Sequence, residues 1–241
     1  MLNLKTITVI IALAIIQACS TNPPKSAKPE IKPAVRDTAP TNKEIVEKRH
    51  EGNFAFVKYI DDGDYSQLIA SEDKSAWSFI NNADTTRNLN RGDLVKITWK
   101  EGTITMAGDD DAEVPAKLLI SIKKIGDGSV SKFRKLYLKK IKYTWPTTED
   151  YTSSYLDRLY LTAEYYLATT QNSLLKQAIN NKQDITYSIE PQEKNGKSYT
   201  MLGLAPVGPN GSNVVQWLYI GDENDKLYEY DLANDNLVEY K

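Results

Sequence analysis

The chain predicts an α+β protein, with a small antiparallel β-barrel or sandwich followed by a long helix packed on an antiparallel β-meander. Three observations predict it. Between residues 54 and 125, short alternating or β-branched runs recur, separated by Gly- and Asp-rich turns. Residues 149–180 then carry one long apolar period of three- and four-residue steps. Beyond it the pattern returns to short strands, ending in two copies of N-D-x-L-x-E-Y at 224–230 and 234–240. A chain of 241 residues has room for two such modules, each with its own core. Tyr is plentiful, 15 against 4 Phe, which suits half-buried sheet faces better than a dry helical core. The net charge of -2 excludes a global field that would favour nucleic acid.

Residues 1–18 form a targeting segment: Lys5, an apolar run over 7–16, then Gln17 and the small Ala18 before Cys19. That run is about half the roughly 20 residues a spanning helix needs. The sequence I-Q-A-C resembles the lipobox of bacterial lipoprotein precursors, although Gln17 stands where a small or β-branched residue is usual. The resemblance implies that Cys19 is the lipidation site, joined by a thioether to diacylglycerol with palmitate-like chains, and becomes the first mature residue. Ser20 beside it implies sorting to the outer membrane, and the non-acidic S-T-N-P-P-K implies a periplasm-facing, lipid-anchored protein of the cell envelope. Because Cys19 is the sole cysteine, lipidation leaves no thiol for a disulfide or for thiol chemistry.

Residues 19–52 read as a lipidated, disordered tether, rich in proline and mixed charge and poor in large apolar groups. As a coil it spans about 30 Å, and up to about 100 Å in polyproline conformation. Residues 43–50 could form a short helix at its end, and folding is expected to begin at Phe54.

The β-rich domain is expected over 53–145. Strands are read at 53–60 and 64–71, with Gly63 supplying positive φ between them, at 91–100, at 103–108 after a turn at Glu101 and Gly102, and at 113–125. With G-D-L-V-K-I-T-W as a central strand, the order resembles an OB-type barrel. That resemblance implies a face for oligonucleotides, sugars or peptides, for which Trp77, Phe79 and Trp99 with Lys74, Arg87 and Arg91 are the candidates. Core packing of those aromatics is the simpler expectation, and no nucleic-acid partner is expected.

Residues 123–145 hold eight basic residues and one acidic, with aromatics interleaved. The candidate binding residues are Lys132, Arg134, Lys135, Lys139, Lys140, Lys142, Tyr143 and Trp145. As a strand, K-I-K-Y-T-W would put Ile141, Tyr143 and Trp145 on one face and the lysines on the other. Such a face would attract anionic lipid or a wall polyanion, or act as the lysine-guarded side of an edge strand.

The α+β domain is expected over 146–241. Its helix would cover 149–180, capped by Thr147 or Thr148 and interrupted near T-T-Q-N. Strands follow within 184–221, and the repeated N-D-x-L-x-E-Y supplies one turn chemistry to the last two. Residues 222–241 carry seven acidic and two basic residues, opposite in sign to 123–145, so the two stretches could face each other or one could await a partner.

Chemistry is sparse. His50 is the only histidine, which removes histidine triads and multi-histidine metal sites. G-K-S at 196–198 lacks the upstream glycine of a phosphate loop, with Pro191 in its place. The pairs Ser71/Lys74, Ser129/Lys132 and Ser173/Lys176 lack the companions of serine acyltransferases. Asp109, Asp110 and Asp111 do not follow calcium-loop spacing. No cofactor, metal or catalytic residue is assigned. The expectation is a structural or adaptor lipoprotein that binds a protein or wall component rather than an enzyme. The alternatives are a periplasmic inhibitor or immunity protein using the acidic hairpins, and a glycan-active enzyme with a carboxylate pair.

Overall fold

A computed structural model describes residues 48–106 and 112–240. Cys19, the leader, the tether up to residue 47 and Asp109 to Asp111 lie outside the described residues. The described residues belong to one compact unit, Val46–Lys241.

Strands β1 (Arg49–Ile60), β2 (Gln67–Glu72), β3 (Ser75–Ile80), β4 (Leu94–Thr105) and β5 (Glu113–Gly126) close into a barrel in the order β1-β2-β3-β5-β4. Neighbours pair antiparallel except β3 and β5, which meet in parallel at Ile80 and Leu118. Two-residue alternation turns Phe54, Leu68, Phe79, Val95, Ile97 and Trp99 inward, while polar neighbours face water. The inward aromatics meet edge to face, with Phe54 5.4 Å from Phe79 and 5.8 Å from Trp99.

Four local expectations change here. Strand β1 begins at Arg49, so residues 49–52 belong to the barrel and not to the tether, and His50 stacks on Trp99 at 5.5 Å instead of ending a linker. Gly63 keeps a negative φ. The tight reversal falls between β2 and β3, where Asp73 (φ 46°) and Lys74 (φ 69°) make the two-residue turn that matches strand twist. Strand β4 runs on through Gly102 to Thr105, because every residue from Trp99 to Thr105 keeps a partner on β5.

The rest of the unit contains α1 (Ser129–Leu136), β6 (Lys142–Thr144), α2 (Ser153–Thr169), α3 (Ser173–Asn180), β7 (Ile185–Lys194), β8 (Lys197–Gly208), β9 (Gly211–Ser212), β10 (Gln216–Gly221), β11 (Leu227–Asp231) and β12 (Asn236–Glu239). Its sheet has the order β12-β11-β10-β8-β7-β6, with β9 paired to β8. The single long helix expected over 149–180 is instead two, α2 and α3, which part at the T-T-Q-N segment. Thr170 leaves the helical region, and the Asn172 carboxamide oxygen accepts from the N–H of Leu174 and Leu175 to start α3. Thr152, not Thr147 or Thr148, caps α2. The two acidic hairpins share their turn chemistry as the repeat predicts, with Asp225 (φ 55°) and Asp235 (φ 48°) both left-handed.

One face of this sheet carries Ile185, Tyr187, Leu202, Leu204, Leu218 and Ile220, and the buried apolar residues of α2 and α3 join them in one core. Phe133, Tyr137 and Ile141 belong to the same core. The two clusters therefore part between Ile122 and Phe133, upstream of the 145/146 division drawn from composition. Helix α1 itself was not foreseen: it is short and basic, and its start at Gly128 has no side-chain cap.

A buried carboxylate joins barrel to helices. Asp93 is fully buried (0% exposed) at the entry to β4. Its carboxylate accepts from the N–H of Asn90 (2.9 Å) and Gly128 (2.9 Å) and pairs with Lys124 (2.8 Å). The approach is so close that a Cβ on Gly128 would lie 2.0 Å from the carbonyl carbon of Gly92, which only glycine permits.

Candidate functional site

The sequence-predicted basic residues separate into two groups. Arg134 is structural: its guanidinium donates to both carboxylate oxygens of Glu164 at 2.7 and 2.6 Å, and to the Asn90 side chain at 2.6 Å. Glu164 is only 4% exposed, so this fork neutralises a buried charge and ties α1 to α2. Lys135 pairs with Asp127, and Lys139 with Asp184 at 2.5 Å, with Lys142 reaching the same carboxylate at 4.0 Å. Among the described residues Lys132 and Lys140 carry no acidic partner. The extended stretch of K-I-K-Y-T-W is only Lys142–Thr144, which pairs with β7 and forms one edge of the sheet. Tyr143 stacks on Tyr187 at 5.3 Å and on Trp145 at 5.9 Å. The acids of 222–241 pair elsewhere, Asp225 with Arg158, Asp235 with Lys194 and Glu239 with Lys226.

Electrostatics agree with this division. The Asp184 carboxyl lies below its usual range through the hydrogen bond and charge of Lys139. The hydrogen bond to Glu164 raises the Arg134 guanidinium further. Burial pushes up the Tyr137 and Tyr187 phenols; Tyr187 is wholly enclosed, its hydroxyl without a partner.

Of the second surface the sequence pointed only to the acidic hairpins within 222–241, not to its aromatic face. Register places Gly203 opposite Trp217, Met201 opposite Tyr219, and Tyr219 opposite Tyr228. These residues point away from the helices, and two-residue alternation puts Tyr199 and Tyr230 on the same face. Tyr199 contacts Tyr219 at 5.6 Å and Tyr228 at 6.1 Å, and Tyr219 contacts Tyr230 at 5.7 Å. Trp217 lies over Gly203, where a Cβ would come 2.4 Å from its ring. At the strand ends this face opens into a groove of about 460 Å³ lined by Val214, Trp217, Tyr230, Leu232 and Val238 together with Glu229 and Asp231. Leu232 is 76% exposed there. Hydrogen bonds from Asn234 and Ala233 hold the Asp231 carboxyl below its ordinary range, and Glu229 accepts from the Tyr166 hydroxyl at 2.5 Å. The sequence signals for this surface were the acidic hairpins and the excess of tyrosine.

The barrel's candidate residues do not assemble into a groove. Phe79 and Trp99 are core, and Trp77 packs against them. Arg87 pairs with Asp61 at 2.7 Å, and Arg91 lies over the Tyr165 ring at 3.6 Å. Lys74 occupies the β2–β3 turn. The outward residues of β2 and β3 include Gln67, Ser71, Ala76 and Ser78, which offer no stacking platform. Asn195 and Gly196 of the N-G-K-S segment are simply the left-handed pair of the β7–β8 hairpin. Among the described residues no group of three or more His, Cys, Asp or Glu is disposed to hold a metal ion, and no helix is long and apolar enough to cross a membrane.

No family model and no curated protein matches the chain. Among solved structures it is similar to the mitochondrial single-stranded DNA binding protein of S. cerevisiae, at 12% identity and a TM-score of 0.26, covering 34% of this chain and 97% of that one. It is also similar to aspartyl tRNA synthetase from Entamoeba histolytica, at 10% identity and a TM-score of 0.27, covering 67% of this chain and about half (48%) of the synthetase.

Proposed function

We propose that this chain is a lipid-anchored cell-envelope protein that acts by binding, as a structural or adaptor lipoprotein with the tyrosine-rich face of its second sheet as the contact surface. One observation carries the proposal: a seven-stranded sheet is covered by helices on one side and leaves Trp217, Tyr199, Tyr228 and Tyr230 half-buried on the other. Rigid aromatics with a polar tip supply large contact area at small entropic cost, as at protein interfaces. The groove adds apolar walls and two carboxylates, which favour an extended partner segment bearing apolar and cationic groups. The lipobox-like leader supplies the anchor at Cys19, facing the periplasm from the outer membrane. The barrel is read as OB type on its strand order β1-β2-β3-β5-β4, and serves as the support between tether and binding module. The same acidic groove would serve an inhibitor, and the partner's identity separates the two.

The test is photo-crosslinking in intact cells from a probe at Leu232, with a probe at Ser78 on the barrel as control. A discrete adduct with an envelope assembly component, seen from Leu232 only and reduced about thirtyfold in affinity by Trp217→Ala, is expected of an aromatic anchor. An adduct with one secreted enzyme would replace the adaptor by the inhibitor; equal labelling from both probes, or none, would reject the face.

A further inference from the structure

Leu138 is 86% exposed, yet its surroundings are rigid. Tyr137 before it is buried, donating its hydroxyl to the Gln183 carbonyl at 2.9 Å and accepting from the Ile185 N–H at 3.1 Å. Ile141 after it is buried as well. The segment Leu138, Lys139, Lys140 is thus pinned at both ends and pushed outward, an apolar tip flanked by ammonium groups. Beside it, Phe133, Arg134, Tyr137, Tyr160 and Glu164 border a shallow hollow of about 250 Å³ that Leu138 and Lys139 also line. Tyr160 meets Tyr143 edge to face, and Tyr143 stacks on Trp145, which is 40% exposed. The face therefore presents a projecting leucine, a tryptophan reached through Tyr160 and Tyr143, and lysines: Lys139 and Lys142 share Asp184, and Lys140 has no acidic partner among the described residues.

We propose that this face docks on an anionic phospholipid bilayer, Leu138 and Trp145 entering the headgroup boundary while Lys140 and Lys142 meet phosphates. Each component matches the chemistry of that surface. Leucine gains from apolar contact, tryptophan favours the interfacial level, and lysines extend to phosphate from apolar stems. A polymeric polyanion would use the lysines but would leave Leu138 in water, which is why lipid is the occupant. Strand β6 and strand β12 are opposite edges of one sheet. Docking through β6 and its approach would leave the acidic groove beside β12 at the far edge, free to meet a partner. The inference rests on the anchored reading only for its setting, since a tether brings this face repeatedly to a membrane.

The experiment uses residues 20–241, without leader or lipid but with the whole compact unit Val46–Lys241. Co-sedimentation is measured with phosphatidylglycerol-rich vesicles and with phosphatidylcholine vesicles. Binding to the first only, weakening with added salt, is expected. The pair Lys140→Ala and Lys142→Ala should weaken it about twenty-five-fold, at roughly fivefold per lysine near an anionic surface. Leu138→Glu should abolish it while leaving the melting temperature unchanged, because the side chain touches water. Equal binding to both vesicles, binding to neither, unaltered binding by the variants, or capture by purified wall polyanion alone would each overturn the proposal. Failure of the anchor is read separately, from the mass of the mature protein, since this assay contains no lipidated chain.

Discussion

Asp93→Ala is expected to lower the unfolding free energy by about 3–5 kcal/mol, measured by chemical denaturation of the soluble unit. The carboxylate is fully buried and neutralises Lys124 while accepting from the N–H of Asn90 and Gly128. Its removal strands the N–H groups of Asn90 and Gly128 at the junction between β4, β5 and α1, while Lys124 keeps Asp127. Truncating one partner of a buried charge pair is among the few single changes of that size. The same group sets an acid limit. Burial alone would raise the Asp93 carboxyl, but hydrogen bonds from Lys124, Ser131, Gly128 and Asn90 outweigh it and hold the carboxyl below its ordinary 3.8. The unfolded chain therefore takes up this proton first, so the stability Asp93 confers is present above about pH 4 and is lost as pH falls through the depressed value. Asp127, hydrogen-bonded by Lys135 and then Lys124, is brought down to about 2 and acts in the same direction, between 3.8 and about 2. A denaturation midpoint that stays level in Asp93→Ala, or a wild-type midpoint flat from pH 5 to pH 2, would show that the junction is not held this way.

Arg134→Ala is expected to destabilise by a similar amount, about 3–5 kcal/mol, because it leaves Glu164 as an uncompensated charge inside the helical layer. The contrast with its neighbours is the informative part. Lys132→Ala and Lys140→Ala, without acidic partners, should stay within about 0.5 kcal/mol of wild type. Adding Glu164→Gln to Arg134→Ala should restore part of the loss, since the second change removes the charge that the first one stranded. If Lys132→Ala destabilises as much as Arg134→Ala, the division of this stretch into structural and free cations fails.

Much of the fold was legible because its elements obey local periods. Alternation around Val95, Ile97 and Trp99 identifies β4, and the three- and four-residue steps from Leu156 to Ala178 identify α2 and α3. What escaped was set by contacts between distant residues. S-V-S-K-F-R-K-L is too short and too charged to read as a helix, and it is held by Phe133 in the second core and by Arg134 on Glu164. The Asp73–Lys74 turn lacks the glycine that marks such hairpins, so neither it nor strand β3 after it was read. Charge counting found the basic stretch but could not tell that Asp127, Glu164 and Asp184 neutralise several of its members. The tyrosine-rich face was visible only as a composition, because the registers of β8 with β10 and β10 with β11 decide which side each ring takes.

The anchor at Cys19 is the claim on which the cellular role turns, and intact-mass and N-terminal peptide analysis of the protein isolated from membranes tests it most directly. A mature chain beginning at Cys19 and heavier than its polypeptide by a thioether-linked diacylglycerol and further acyl mass is the expected result. A chain that retains residues 1–18, or one whose Cys19 carries no lipid, would contradict it.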